Sequence, residues 1–119
     1  MSTHPNVMIQ CVLTVDDGMR KTERALLKDF GGDGIYDDCV IVGGADYKVT
    51  CMEDSYEDGY QISAEEGQLV LHDYLTYGYG EAMTWDKVEE RVESLRAWAE
   101  SAKEKHKFSY EIRIGANYW

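Results

Sequence analysis

CVIVGGADYKVTCMEDSYEDGYQISAEEGQLVLHDY, residues 39–74, decides how this chain folds. Short apolar runs alternate with glycine-rich or acidic breaks, a pattern of strands and tight turns rather than of helix. Cys39–Val42 and Tyr47–Met52, joined by Gly43, Gly44, Ala45 and Asp46, read as one hairpin. Tyr60–Ala64 and Gln68–Tyr74, with Glu65, Glu66 and Gly67 at the bend, read as a second. In the last of these strands Leu69, Leu71 and Asp73 alternate against Val70, His72 and Tyr74, so successive side chains point to opposite faces.

On the N-terminal side, Val7, Ile9, Cys11, Leu13 and Val15 alternate with Met8, Gln10, Val12 and Thr14, which predicts an interior strand with two apolar faces. Asp16 or Asp17 is placed to cap a following helix. In that helix Met19, Leu26, Leu27 and Phe30 turn inward, Arg20, Lys21, Arg24 and Lys28 form a basic outer face, and Gly31 and Gly32 end it.

On the C-terminal side the period changes at Thr84, a candidate cap. Val88, Val92, Leu95, Ala99 and Ala102 recur at helical steps with Trp85 and Trp98 on the same stripe, both assigned to the core. Glu93 with Arg96, Glu100 with Lys103 and Glu104 with Lys107 are spaced as i,i+3 ion pairs. Phe108, Tyr110, Ile112 and Ile114 then alternate with polar residues as a final strand. The expected order is β α β β β β α β, an α+β fold with an antiparallel or mixed sheet of about six strands and two helices packed on one face. With 119 residues and 44% hydrophobic content, a single compact domain over 1–119 is expected.

Charge is segregated along this framework. Asp29 to Asp86 holds fourteen acidic residues and one base, Lys48, a net of −13, while the rest of the chain sums to +2. Nine of the eleven glycines and seven of the nine tyrosines fall in the same segment, so the carboxylates accompany turns and aromatics. Solubility alone calls for a net charge of roughly 2 to 8 with signs mixed, and concentrating one sign incurs self-repulsion that a basic partner surface would offset. The candidate partner-binding residues are Asp33, Asp37, Asp38, Glu53, Asp54, Glu57, Asp58, Glu65, Glu66 and Glu81, with Tyr36, Tyr56, Tyr77 and Tyr79 as aromatic anchors.

In size, charge and aromatic content the chain resembles the small acidic inhibitors that phages use against host nucleases and CRISPR complexes, and the acidic immunity proteins that bind toxin nucleases. That resemblance implies a non-catalytic inhibitor that mimics nucleic acid and occupies a basic groove on a nuclease or another nucleic-acid-binding complex. No motif carries individual residue roles across.

Other classes are less well served. Gly31–Asp38 resembles one copy of the glycine- and aspartate-rich repeats that bind calcium in parallel β-rolls, yet such sites need stacked copies and one is present. An enzyme would draw on His72, Asp73, Tyr74, Tyr77 and Tyr79, but no nucleophile elbow, phosphate loop or paired-histidine motif accompanies them, and His72 reads first as a hydrogen-bonded sheet histidine. No catalytic residue, metal or cofactor is assigned. A net charge of −11 opposes direct nucleic-acid binding, so the basic stripe Arg20, Lys21, Arg24 and Lys28 is expected to balance the acidic segment of its own chain or of a neighbouring subunit in a homodimer. Cys11, Cys39 and Cys51 are odd in number and lie in apolar runs, as buried thiols do. Met1–Asn6 lacks the pattern of a secretion signal and no apolar run approaches the roughly 18 residues of a membrane span, so the expected compartment is the cytoplasm.

Overall fold

The computed structural model describes residues 5–16, 18–32, 38–51, 54–57, 60–75 and 84–118; for 5, 54–57, 117 and 118 it gives the backbone path alone. The elements are β1 (Pro5–Val15), α1 (Met19–Phe30), β2 (Cys39–Val42), β3 (Ala45–Cys51), β4 (Asp54–Glu57), β5 (Tyr60–Ser63), β6 (Gln68–Leu75), α2 (Trp85–His106) and β7 (Phe108–Tyr118). This is the α+β arrangement read from the sequence, with one additional short strand, β4. Five strands form an antiparallel sheet in the order β2-β3-β6-β1-β7, and β4 with β5 makes a separate two-stranded sheet.

Tyr60–Ala64 therefore does not pair with Gln68–Tyr74 as expected. The reason lies in β6 itself: Leu69 and Leu71 are buried on one face and Val70 on the other, so the strand has apolar demand on both sides and takes β1 and β3 as its ladder neighbours. The β4–β5 hairpin lies over one face instead, where Tyr60 and Ile62 bury against Met8, Val12 and Val70. Both helices cover the opposite face. There Leu26 of α1 and Val88, Leu95, Ala99 and Ala102 of α2 meet Val7, Ile9, Cys11, Leu13, Leu69 and Leu71, so β1 is sandwiched, as its two apolar faces require.

Local chemistry fixes the ends of the elements. Gly43 and Gly44 have φ of 58° and 80°, the pair of left-handed residues that a two-residue hairpin between β2 and β3 needs to match strand twist. Thr84 caps α2, its hydroxyl accepting from the Lys87 N–H at 3.3 Å, as the sequence indicated. Asp16 does not cap α1, and Asp17 lies outside the described residues; Gly18, in the left-handed region, holds that position with no side-chain cap, and the Thr22 N–H reaches its carbonyl at 2.9 Å. Gly31 stops α1 because an added Cβ would stand 2.1 Å from the Leu27 carbonyl oxygen, to which its own N–H is bonded.

Two expectations for α2 are corrected. Trp85 is 44% exposed rather than in the core, because it is the first residue of the helix and the buried stripe begins a turn later at Val88. Of the three spaced ion pairs, Glu100–Lys103 forms at 2.8 Å, and Lys107 lies outside the helix as a left-handed C-cap residue, beyond the turn that would place it against Glu104. Trp98 packs as assigned, edge-on to Phe30 and stacked against Phe108.

Candidate acidic interaction surface

Seven of the acids between Asp29 and Asp86 have described side chains, and they divide by environment. Asp38, Asp46, Glu65, Glu66 and Asp86 are exposed and form no ion pair among the described residues. Asp29 and Asp73 do. Lys105 and His106 at the end of α2 reach Asp29 at 2.7 and 2.9 Å, and the Lys105 hydrogen bond above all holds that carboxyl below the usual range, against the opposing effect of desolvation. Arg91 donates to Asp73 at 2.9 Å.

Asp73 explains how a carboxylate comes to occupy the helix face of the sheet. It stands on β6 opposite Ile9, two residues from the buried Leu71, so the strand alternation turns it toward α2. Burial raises its pKa, and the Arg91 guanidinium opposes that shift. Arg91 also acts on Tyr47, whose pKa burial raises while the guanidinium opposes. The three side chains tie α2 to β3 and β6. The inward Asp73 is thus matched with a cation, as is Asp29 at the end of α2, and the other five described acids of the segment are left unmatched.

Turn geometry presents the unmatched set. Between β5 and β6 the Gln68 N–H reaches the Glu65 carbonyl at 3.0 Å, and Gly67, at φ 84°, offers its carbonyl to the Val15 N–H at 2.8 Å. This seats the turn against the end of β1, where Glu66 and Asp16 border a depression of about 240 Å³ with Val15, Gly18, Met19 and Gly67. Asp38 is held where its carbonyl accepts from the Val49 N–H at 2.8 Å. It borders a separate depression of about 310 Å³ with Arg20, Glu23, Leu27, Thr50 and Cys51. Asp46 follows the Gly43–Gly44 turn on β3, opposite the exposed Ile41.

Three of the sequence-predicted residues have described side chains. Asp38, Glu65 and Glu66 are exposed as expected. Asp54, Tyr56 and Glu57 lie on β4, whose backbone alone is described, and Asp33, Tyr36, Asp37, Glu53, Asp58, Tyr77, Tyr79 and Glu81 lie outside the described residues. The sheet register sends the connections to opposite ends. Gln68 pairs with Thr14 and Leu69 with Cys51 at one end, whereas Leu75, after which the chain carries Tyr77, Tyr79 and Glu81, pairs with Val7 at the other. Sequence reasoning passed over Asp46 and Asp16; outward alternation after the two-glycine turn is the signal for Asp46, and proximity to Glu66 follows only from the β1–β6 register.

The residues considered for catalysis are separated by the pleat. His72 is 4% exposed and shares a 3.1 Å hydrogen bond with Thr50 on the hairpin face, Asp73 points to the helices, and the Tyr74 hydroxyl accepts from the Asn6 amide. Asn6, Gln10, Thr50 and His72, the buried polar side chains among the described residues, all lie on the hairpin face, where the Gln10 amide donates to the Gln61 carbonyl at 2.7 Å and the Tyr60 hydroxyl to the Asn6 carbonyl. They anchor the hairpin. The Tyr60 ring also lies over Gly115, where an added Cβ would approach it to 2.8 Å. Among the described residues no cluster of three or more His, Cys, Asp or Glu has metal-binding geometry, and no helix is long and apolar enough to cross a membrane. The calcium-like stretch Gly31–Asp38 falls largely outside them.

The described cysteines form no disulfide; Cys11 and Cys51 are buried, Cys39 half-buried, and burial pushes the Cys11 thiol up to about 12. Comparison with family models, curated proteins and solved structures gives no match for this chain.

Proposed function

We propose that this chain is a non-catalytic binding protein that blocks a basic, nucleic-acid-handling partner by charge mimicry, in the manner of phage anti-defence inhibitors or nuclease immunity proteins. The observation that carries this reading is the division of the acids: the inward Asp73 and Asp29 beside the end of α2 have cations, and Asp38, Asp46, Glu65, Glu66 and Asp86 face solvent without one among the described residues. Holding like charges on one small body is unfavourable, and a groove lined with lysine and arginine would relieve that cost while steering encounter. Duplex DNA presents about one negative charge per 1.7 Å of axis, and a surface built to grip it accepts carboxylates spaced on a rigid body. The acids and tyrosines of the 33–38, 53–58 and 77–81 stretches complete the contact set in this reading, and a reducing cytoplasm suits three cysteines that form no disulfide.

The test uses the full chain as bait in a cell lysate, washed at low and then at high salt, beside a variant carrying Asp38→Asn, Asp46→Asn, Glu65→Gln and Glu66→Gln. Charge mimicry predicts a nucleic-acid-binding protein that is captured at low salt, released as salt rises, and lost from the variant while the melting temperature holds. Capture that is indifferent to both manipulations overturns the reading.

A further inference from the structure

The two edges of the main sheet are treated differently. On one side β2 is four residues long, and Gly31 bridges to Val40 across its outer side. On the other side β7 runs for 11 residues, pairs with β1 along its whole length, and has no strand on its outer side among the described residues. That leaves roughly 35 Å of edge with backbone donors and acceptors open to pairing. Beside the edge lies apolar surface. Ile114 is 47% and Trp85 44% exposed, and with Val88 and Val92 they border a groove of about 350 Å³ between β7 and α2.

We propose that β7 is a dimerisation strand. Two copies pair antiparallel, edge to edge, about a two-fold axis through Ile112, joining two five-stranded sheets into one with the helices of both copies on the same face. The choice of a second copy and of this register rests on the charge order in β7. Glu111 and Arg113 are exposed, lie on the face away from the helices opposite Val12 and Gln10, and pair with each other along the strand at 3.5 Å. With the axis at Ile112, Glu111 faces the partner's Arg113 and Arg113 faces the partner's Glu111. On the helix face, Tyr110 meets the partner's Ile114 and Phe108 the partner's Ala116, so the exposed Ile114 is covered.

The two neighbouring registers fail on the same residues. Keeping both sets of helices on one face, the axis moves by whole residues, and a step of one in either direction sets Glu111 against the partner's Glu111 or Arg113 against the partner's Arg113. Parallel pairing in register likewise stacks each charge on its own kind. A foreign strand added to this edge would gain the backbone bonds without the reciprocal charge match. This surface is distinct from the basic stripe of α1, so the dimer does not depend on charge mimicry.

The experiment is sedimentation velocity and light scattering on the full chain from low micromolar to near-millimolar concentration at physiological salt. The wild type is expected to double its mass as concentration rises. Glu111→Arg places like charges at both cross-strand pairs and should weaken the dimer about tenfold or more. The double exchange of Glu111→Arg with Arg113→Glu restores opposite charges across the axis and should return the dissociation constant to within about threefold of the wild type. Thermal melts of the dilute variants show that each is folded. A wild type that stays monomeric at the highest concentration, a Glu111→Arg dimer as tight as the wild type, or a folded double exchange that fails to recover each overturns the proposal. So does a monomer that instead takes up an extended peptide at β7.

Discussion

Replacing Arg91 by Met tests whether α2 is held to the sheet by electrostatics as well as by apolar packing. Arg91 donates to Asp73 at 2.9 Å, and Met preserves most of its aliphatic stem. Removing one partner of a fully buried ion pair costs about 3–5 kcal/mol. Here the Arg91 side chain is 36% exposed and that of Asp73 24%, so water partly replaces the lost cation and the expected cost falls to about 1–2 kcal/mol at neutral pH. For a domain of this size that is a drop of roughly 4–12 °C in melting temperature.

The pH dependence gives the prediction its sign. The Asp73 pKa is already raised, by burial above all, with Arg91 opposing; removing Arg91 leaves burial unopposed and raises it further. A group whose folded pKa lies above its unfolded value contributes stability that is fully present below the unfolded pKa and is lost as pH rises through the folded one. The Arg91→Met protein should therefore be weakest relative to the wild type at neutral pH and should recover on acidification as Asp73 takes up its proton. Urea unfolding of both proteins at pH 7 and near pH 4 measures this. A deficit of only a few tenths of a kcal/mol at pH 7, or one that widens in acid, would show that Arg91 does not compensate the Asp73 charge. In an Asp73→Asn background the cost of Arg91→Met should shrink, since the charge that needed compensation is gone.

Two further substitutions test the backbone account. Gly43→Ala should cost about 1–3 kcal/mol, more than Gly44→Ala, because both positions are left-handed but a Cβ at 43 would stand 2.3 Å from the Ser94 hydroxyl whereas one at 44 meets open space; equal melting temperatures for the two would remove Ser94 from the explanation. Lys107→Gly should raise the urea midpoint by about 0.5–1 kcal/mol equivalent, since Lys107 holds φ 55° at the end of α2 and glycine carries no steric penalty there; an unchanged or lower midpoint would contradict it.

The parts of this fold that were legible in the sequence are those whose burial is one-sided and periodic. The stripe Val88, Leu95, Ala99 and Ala102 sets α2, and the double-faced apolar alternation of β1 sets an interior strand. Thr84 marks its helix start because a hydroxyl there satisfies an otherwise free N–H. What escaped was pairing. Proximity in sequence suggests that β5 and β6 form a hairpin, but Leu69, Val70 and Leu71, consecutive and all buried, mark β6 as a strand flanked on both sides and covered on both faces. The same register decides the acidic surface: loops adjacent in sequence leave from opposite ends of the sheet, so counting carboxylates located the charged segment without locating a face. Asp73 shows the converse, an acid in the charged segment that points inward because its strand alternates and Arg91 receives it.

If, as proposed, the outward carboxylates of the middle segment stand in for a nucleic-acid backbone, a duplex should compete with the chain for its partner. The partner retained on the immobilised chain at low salt is challenged with a short duplex DNA, beside an uncharged polymer of similar mass as control. Charge mimicry predicts that the duplex releases the partner in proportion to its concentration while the control does not, because both occupy one basic groove. A partner that stays on the immobilised chain while it binds the duplex, forming a ternary complex, would contradict the claim.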